Sequence, residues 1–355
     1  MLKFVLERLF RLLVDISCKV FLSLFTWRPP LKKRKPKTTL FDAQSFLTGA
    51  IDAYRRDLES KDPMYAASFR QVWLDSFSKK YILPADKEKL RNNAIAKFLS
   101  VNDEMSKYSI ISSDDLNPLL RNIVTIARAI CTTVLGEVID MEDIFRGCKN
   151  SSGASVGVSY KDTSIEAKVS FPITVTESAY PHYMAYLRYD KEYLRAIVDL
   201  NQNSENPFLK FVGGSKAATV PKTSETDRFI AVEPTANMFI QQGVANAMHR
   251  KMLLECGLSL KRDPERHRRL AYYGSISNNL CTIDFSSMSD RVSIGVVHLL
   301  LPKQWAALLM DIRSPQTLIG SSWVTNHMIS SMGNATTFPL ETLILWALAI
   351  ATHLY

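Results

Sequence analysis

From Phe41 to about Ile139 apolar residues recur at i, i+3 and i+4, the spacing of one face of a helix. The pattern predicts helices over Ala43–Leu58, Met64–Ser78, Asp86–Leu99 and Asn117–Leu135, with Pro63, Pro84 and Pro118 punctuating them. Residues 150–160 (NSSGASVGVSY) read as a Ser/Gly loop. Ser164–Val175 alternates in the manner of strands, and Tyr183–Leu200 reads as a helix rich in tyrosine. Further on, two β-like runs, Ala217–Val220 and Phe229–Val232, flank a polar loop. Leu280–Ile283 has the pattern of a short buried strand ending on Asp284. An apolar helix follows over Val292–Leu301 and stops at Pro302. A small-residue loop from Ser330 then feeds an apolar helix reaching about Leu354. The expected fold class is α/β (α+β), helical in its N-terminal part.

The first 37 residues break the rhythm. Met1–Trp27 is apolar, but Lys3, Glu7, Arg11, Asp15 and Lys19 recur every fourth residue and form one charged stripe. The longest charge-free run, Val20–Trp27, falls short of the roughly 20 apolar residues a membrane span needs. A signal peptide would place its charges before the apolar run, not through it. Residues 28–37 (RPPLKKRKPK) hold six basic residues, three prolines and no acid, the composition of an extended linker. Such a helix and linker suit an anionic membrane surface or RNA phosphates. They equally suit a helix docked on the body with a solvated linker.

Composition narrows the class. The chain has 355 residues, 46% hydrophobic and 22% charged, room for two or three domains. A disordered, collagen-like or multi-span membrane chain is excluded. Its formal net charge of +9 points to nucleic acid or an anionic surface as partner. The five cysteines have no zinc spacing and read as free thiols.

Three segments carry candidate chemistry. In 216–234 (KAATVPKTSETDRFIAVEP), Lys222 and Arg228 sit on a strand–loop–strand where cations can clamp a triphosphate, although most basic hairpins are solvated surface. Arg250, Arg266, Arg268 and Arg269 extend the positive field toward RNA. In 279–291 (NLCTIDFSSMSDR), a carboxylate at the end of a buried strand, Asp284, calls for a charged partner such as a metal ion. Asp290, beside Ser289, can cap the helix that follows or accept a hydrogen bond from a ribose hydroxyl. In 330–341 (SSMGNATTFPLE), a small-residue loop lets a backbone approach a ligand closely.

Together these segments resemble the RNA-dependent RNA polymerase, the replicase catalytic subunit or beta chain, of single-stranded RNA bacteriophages, the leviviruses. The resemblance is carried by PK-x4-DR-x-I-x2-EP-x2-N (Pro221–Asn237), IDFSSMSD and SSMGN-x2-TF-x-LE-x-L, in family order. It is dense over about 211–348 and reaches back weakly to about residue 85. It implies a right-hand polymerase with 41–270 as fingers and 271–355 as a partial palm, the thumb absent; residues 1–40, which the resemblance does not reach, remain the amphipathic helix and polybasic linker read from their pattern. It implies motif F at Lys222 and Arg228, holding nucleotide phosphates. Motif A is at Asp284, binding Mg²⁺, with Ser289 and Asp290 at the ribose. Motif B is at Gly333, Asn334 and Thr337, supporting template base and nucleotide sugar. Other RNA-virus polymerases often have Asn where this chain has Glu341. The complete family enzyme uses two Mg²⁺ ions, an RNA template and ribonucleoside triphosphates. It recruits host elongation factors Tu and Ts and a ribosomal protein, in the bacterial cytoplasm. Peripheral membrane contact through residues 1–37 is a further expectation.

Two metal ions roughly 4 Å apart need several carboxylates. The family's second source is motif C, a Gly-Asp-Asp turn after the motif B helix, and no Gly-Asp-Asp occurs in the chain. Asp114-Asp115 precedes a helix pattern and reads as an N-cap cluster, not a permuted motif C. The expectation is therefore a fragment that ends before motif C and is inactive alone. The alternative is a naturally short, non-catalytic RNA-binding protein that retains the fingers.

Overall fold

The computed structural model describes residues 86–355 continuously, together with Gly49, Asp52, Ala53 and Arg56. Gly49, Asp52, Ala53 and Arg56 are helical, in keeping with the helix expected over 43–58; the rest of that helix, the one over 64–78, and the N-terminal helix and basic linker lie outside the described residues. The chain divides into two compact units. One contains residues 100–217 and 231–355. The other contains, among the described residues, Gly49, Asp52, Ala53, Arg56, 86–99 and 218–230.

The helices are α1 (Lys87–Ser106), α2 (Pro118–Leu135), α3 (Met141–Arg146), α4 (Ile165–Val169), α5 (Tyr180–Tyr189), α6 (Lys191–Leu200), α7 (Thr235–Cys256), α8 (Asp263–Ser277), α9 (Ile294–Leu300), α10 (Lys303–Ile312) and α11 (Thr337–Leu354). The strands are β1 (Ile173–Val175), β2 (Leu209–Phe211), β3 (Gly214–Pro221), β4 (Asp227–Val232), β5 (Gln316–Ile319) and β6 (Ser322–Thr325). The mixed helix-and-sheet class expected from the sequence is what is found.

Helix α2 starts where the sequence says. Asn117 caps it, its Oδ1 accepting the Leu120 N–H at 2.8 Å, and Pro118 occupies the first turn, where no N–H is needed. Asn117→Ala removes that acceptor, and the expected cost is about 1 kcal/mol in urea denaturation. An effect below the measurement error would show that the cap contributes nothing. Just upstream, Asp114 and Asp115 lie in a single 3₁₀ turn. Ser112 and Asp115 cap each other's backbone there, as the N-cap reading expects.

In the larger unit α11 packs against α2 and α7. The helix is apolar nearly all round because it is covered on several sides: Leu340, Leu343, Ile344, Ala347 and Ala351 are all buried. Trp305 of α10 is buried, and its indole N–H donates to the Gly136 carbonyl at 3.1 Å. Burying one such side chain is worth about 1.5–3 kcal/mol. The tyrosines of α5 and α6 gather around Phe239 of α7. Tyr186 meets its ring edge-on at 4.7 Å and Tyr193 stacks on it at 5.3 Å. In this unit β1 pairs in parallel with β2, β3 pairs in parallel with β5 through Gly214↔Gln316, and β5 runs antiparallel to β6. In the smaller unit the far halves of β3 and β4 form a hairpin, held on α1 by Phe229 stacked on Phe98 at 3.9 Å.

Three local expectations are corrected. Ser164–Val175 is a strand only at its end. Ser164 accepts the Ala167 N–H and starts the short helix α4, so a cap outweighed the alternation. Tyr183–Leu200 is two helices, because Asp190 ends α5 and caps α6 through the Tyr193 N–H. Leu280–Ile283 is irregular, and Ile283 is exposed. A strand needs a neighbour to satisfy its N–H and C=O groups, and among the described residues none pairs with this segment.

Candidate functional site

The β3–β4 hairpin is closed by hydroxyls. Thr223 and Thr226 bond to each other at 2.8 Å, and the Thr226 carbonyl accepts the N–H groups of Lys222 and Thr223 at 3.0 Å. Lys222 is exposed at the turn. Phe229 points inward, so Arg228 beside it is carried on the opposite face of β4, half-buried. Neither cation forms an ion pair with the described residues.

In the larger unit the second and third segments meet. Residues 288–290 form a 3₁₀ turn, and Ser331 donates to the Asp290 carboxylate at 2.5 Å across 41 residues. Thr337 donates in turn to the Ser331 carbonyl at 2.9 Å. Asp290 is not the cap of the following helix. Ser293 fills that role by accepting the Val296 N–H, so the side chain of Asp290 faces the loop instead. Ser289 lies beside it, half-buried. The turn is anchored behind by Arg291, whose guanidinium pairs with Glu104 at 2.5 Å.

The loop 330–336 is folded by its own side chains. The Asn334 Oδ1 accepts both the Thr336 N–H and its hydroxyl, at 2.8 and 2.7 Å. The Ala231 N–H reaches the Met332 carbonyl at 2.8 Å. Gly333, at φ 121°, is exposed at the crest, in a conformation that a side chain would strain. Asn334 and Thr337 are buried, so Gly333 is the candidate of this loop that faces outward.

Beneath the loop lies a buried polar knot that sequence reasoning missed. Glu233, 2% exposed, accepts from Ser314 at 2.6 Å and from Gln241 at 3.2 Å, and also bonds to Asn334. Gln241 also donates to the Ile312 carbonyl at 2.9 Å. Burial pushes the Glu233 carboxyl up to about 7, against the opposing pull of these donors and of Arg313. Arg313 is itself buried, donates to the Asn326 and Met328 carbonyls and is lowered to about 10 by desolvation. One clue was readable: a Glu closing an apolar β-run just before Pro234. Nothing local pointed to Ser314 or Arg313.

Glu341 stands one turn into α11, 5% exposed. Burial, with the nearby Asp290 carboxylate adding to it, pushes its carboxyl up to about 7.

Asp284 is elsewhere in character. It is exposed on the irregular stretch between α8 and the 288–290 turn. Among the described residues no three His, Cys, Asp or Glu side chains gather closely enough to hold a metal ion. These residues alone therefore do not fit a two-ion centre, and Asp284 offers one carboxylate.

The outlying arginines are partly neutralised. Arg250 pairs with Asp143 at 2.5 Å, and Arg268 and Arg269 both pair with Glu265 on the exposed face of α8. Arg266 is half-buried. Exposed pairs of this kind are weak and do not hold the cations away from a stronger anion.

A family model described as RNA replicase, beta-chain, matches residues 43–355. The chain is 38% identical over 240 residues to the RNA-directed RNA polymerase subunit beta of Escherichia virus Qbeta, an alignment covering 67% of this chain and 38% of that one. It is 34% identical over 212 residues to the RNA-directed RNA polymerase beta chain of Escherichia phage MS2, covering 60% and 38%. With the beta chain of Enterobacteria phage fr the figures are 30% over 279 residues, covering 76% and 49%. The chain covers between 38% and 49% of the length of these relatives.

Proposed function

Because the chain belongs to the RNA replicase beta-chain family, we propose that it supplies the nucleotide-handling surface of an enzyme that builds RNA on an RNA template. The observation that carries this reading is the Ser331–Asp290 hydrogen bond. It joins two segments 41 residues apart that match the family's motifs A and B, and it leaves an oriented carboxylate at the motif B loop.

In this reading residues 41–270 are fingers, 271–355 are part of a palm, and 1–40, an amphipathic helix and polybasic linker by sequence, contact RNA or membrane. Lys222 is a mobile point charge for the triphosphate, and Arg228 offers a fixed fork of donors. Asp290, beside Ser289 and aligned by Ser331, accepts a hydrogen bond from the ribose. Gly333 exposes backbone for close approach of base or sugar, while Asn334 and Thr337 hold the loop's shape. Arg250, Arg266, Arg268 and Arg269 contribute general attraction for RNA phosphates. The protein's part is positioning: a well-held nucleotide saves most of the entropy of bringing reactants together.

A divalent cation, Mg²⁺ in the family resemblance, supplies charge neutralisation at the transferring phosphate, and Asp284 is the one residue here proposed to touch it. No step is assigned through it, since the described residues do not form the site. RNA, ribonucleoside triphosphates, host elongation factors Tu and Ts and a ribosomal protein are the proposed partners, in the cytoplasm of the bacterial host.

Equilibrium binding of GTP to the chain tests this. Lys222→Ala and Arg228→Ala should each weaken binding about tenfold, or about 1.4 kcal/mol, and the difference should shrink in high salt. Unchanged affinity would remove the clamp. Binding of RNA oligonucleotides without any binding of GTP would favour an RNA-binding protein instead.

A further inference from the structure

The larger unit holds a cavity of about 620 Å³ that shares no lining residue with the Lys222 hairpin, the 288–290 turn or the 330–337 loop. That volume suits a small organic molecule or one residue of a peptide. The wall joins the β1–α5 connection, the end of β2 and the link from α10 to β5. Phe211, Val212, Met310 and Pro315 make much of it apolar. Phe211 is 52% exposed, and Tyr180 meets its ring edge-on at 5.4 Å, so the ring is supported yet open to a ligand.

One buried cation is set into this wall. Arg313 is 7% exposed, and its Nη1 donates to the Asn326 and Met328 carbonyls at 3.1 and 2.9 Å. Its buried Nε–H has no acceptor, and among the described residues the guanidinium forms no ion pair. Burial lowers Arg313 to about 10, so it stays charged at neutral pH. A buried charge without an anion is costly. A carboxylate is an anion whose planar shape matches the guanidinium fork. Two acceptors share the lining. Glu177 is exposed. Ser178 spends its one proton on the Asp311 carbonyl at 2.6 Å, which leaves its oxygen as an acceptor. A phosphate dianion would be repelled by Glu177. A ligand carrying both a carboxylate and an N–H or ammonium group meets a complement for each.

We propose that this cavity binds an apolar α-amino acid unit: Arg313 takes the carboxylate, Phe211 and Met310 take the side chain, and Glu177 and Ser178 accept from the nitrogen. Such a unit comes free, with an ammonium group, or as the carboxyl-terminal residue of a peptide, with an amide N–H. The site does not depend on the nucleotide-handling reading.

The test is isothermal titration of the full 355-residue chain with L-phenylalanine, N-acetylphenylalanine and N-acetylphenylalanine amide. At least one of the two acids should bind, and the amide, which lacks the carboxylate, should bind about tenfold more weakly, or about 1.4 kcal/mol. Arg313→Gln should abolish binding. Because Arg313 also holds two backbone carbonyls, Phe211→Ala provides the variant at an exposed position. It should weaken the acids several-fold and leave the unfolding midpoint unchanged. Tighter binding of N-acetylphenylalanine assigns the site to a peptide terminus. Tighter binding of L-phenylalanine, lost several-fold in Glu177→Gln, assigns it to the free amino acid. Binding of neither acid at millimolar concentration, an amide that binds as well as its acid, or full affinity in Phe211→Ala overturns the proposal. Displacement of the acid by GTP also overturns it, since the cavity would then belong to the nucleotide. A failure of GTP to bind at all leaves this titration readable and counts only against the nucleotide-handling reading.

Discussion

Replacing Glu233 with alanine should lower the free energy of unfolding by about 3–5 kcal/mol, the range for breaking a buried polar cluster from one side. The change removes the acceptor for Ser314, Gln241 and Asn334 at once and leaves their donors buried without partners. Asn334 also shapes the loop that carries Gly333 and Ser331, so the loop should loosen with the knot. Amide exchange over residues 331–337 should rise more than the global loss of stability explains. Glu233→Gln should cost far less, because the amide keeps one acceptor oxygen. Equal losses for the two substitutions would mean that the knot is held by packing and not by its hydrogen bonds.

The same residue sets a pH dependence whose sign follows from its environment. The folded carboxyl sits near 7, above its ordinary value of 4.5. Its favourable contribution is fully present below 4.5 and is lost as pH rises through about 7. Glu341 has the same direction and the same window. Together they make the chain most stable on the acid side of neutrality. The free energy of unfolding should fall between about pH 4.5 and pH 7, by about 3 kcal/mol for each carboxyl at most. The double substitution to glutamine should flatten that slope. A slope that persists in the double variant would place the titrating groups elsewhere.

Gly214→Ala should be comparably damaging. Gly214 has φ +153° and pairs in register with Gln316, and an added Cβ would lie 2.1 Å from the Gln316 carbonyl oxygen. The obstacle is the backbone of the paired strand, not the end of a flexible side chain, so relief requires β3 and β5 to part. Parting them also pulls Ser215 from Thr317, a buried hydroxyl pair at 2.8 Å, and Thr317 from Asn326. The expected cost is about 3 kcal/mol or more, the upper end for overpacking together with lost ladder bonds. Urea midpoints, with protease cleavage near residues 316–325 as a local readout, would measure it. A loss under about 0.5 kcal/mol, the scale of an ordinary surface change, would show that the close approach is not required.

Much of the scaffold was legible because its signals are local. Helices α1 and α2 announce themselves through apolar spacing and α11 through an unbroken apolar run, and Asn117 and Pro302 mark boundaries through capping and a missing N–H. The hairpin around Lys222 and Arg228 was readable from two short β runs and the polar loop between them. The misreadings have two causes. At Ser164 and Asp190 a single cap competed with a longer pattern and won. At Leu280–Ile283 a strand-like run lacked a strand to pair with, and periodicity says nothing about partners.

By itself the sequence determined which chemical groups are present, their order, and the family resemblance they compose. It did so through spacings of a few residues, where hydrogen bonds and helix faces repeat. Only the tertiary structure decided what those groups do to one another. Asp290 could have been a cap or a ligand group. The cap falls to Ser293, which immediately precedes α9, and the chain returns after 41 residues to bring Ser331 against Asp290. Glu233 and Glu341 are ordinary acids in the sequence and become near-neutral groups only where packing removes water from them. Burial and long-range return of the chain are properties of the folded surface, and a linear pattern does not encode the dielectric that a side chain will meet.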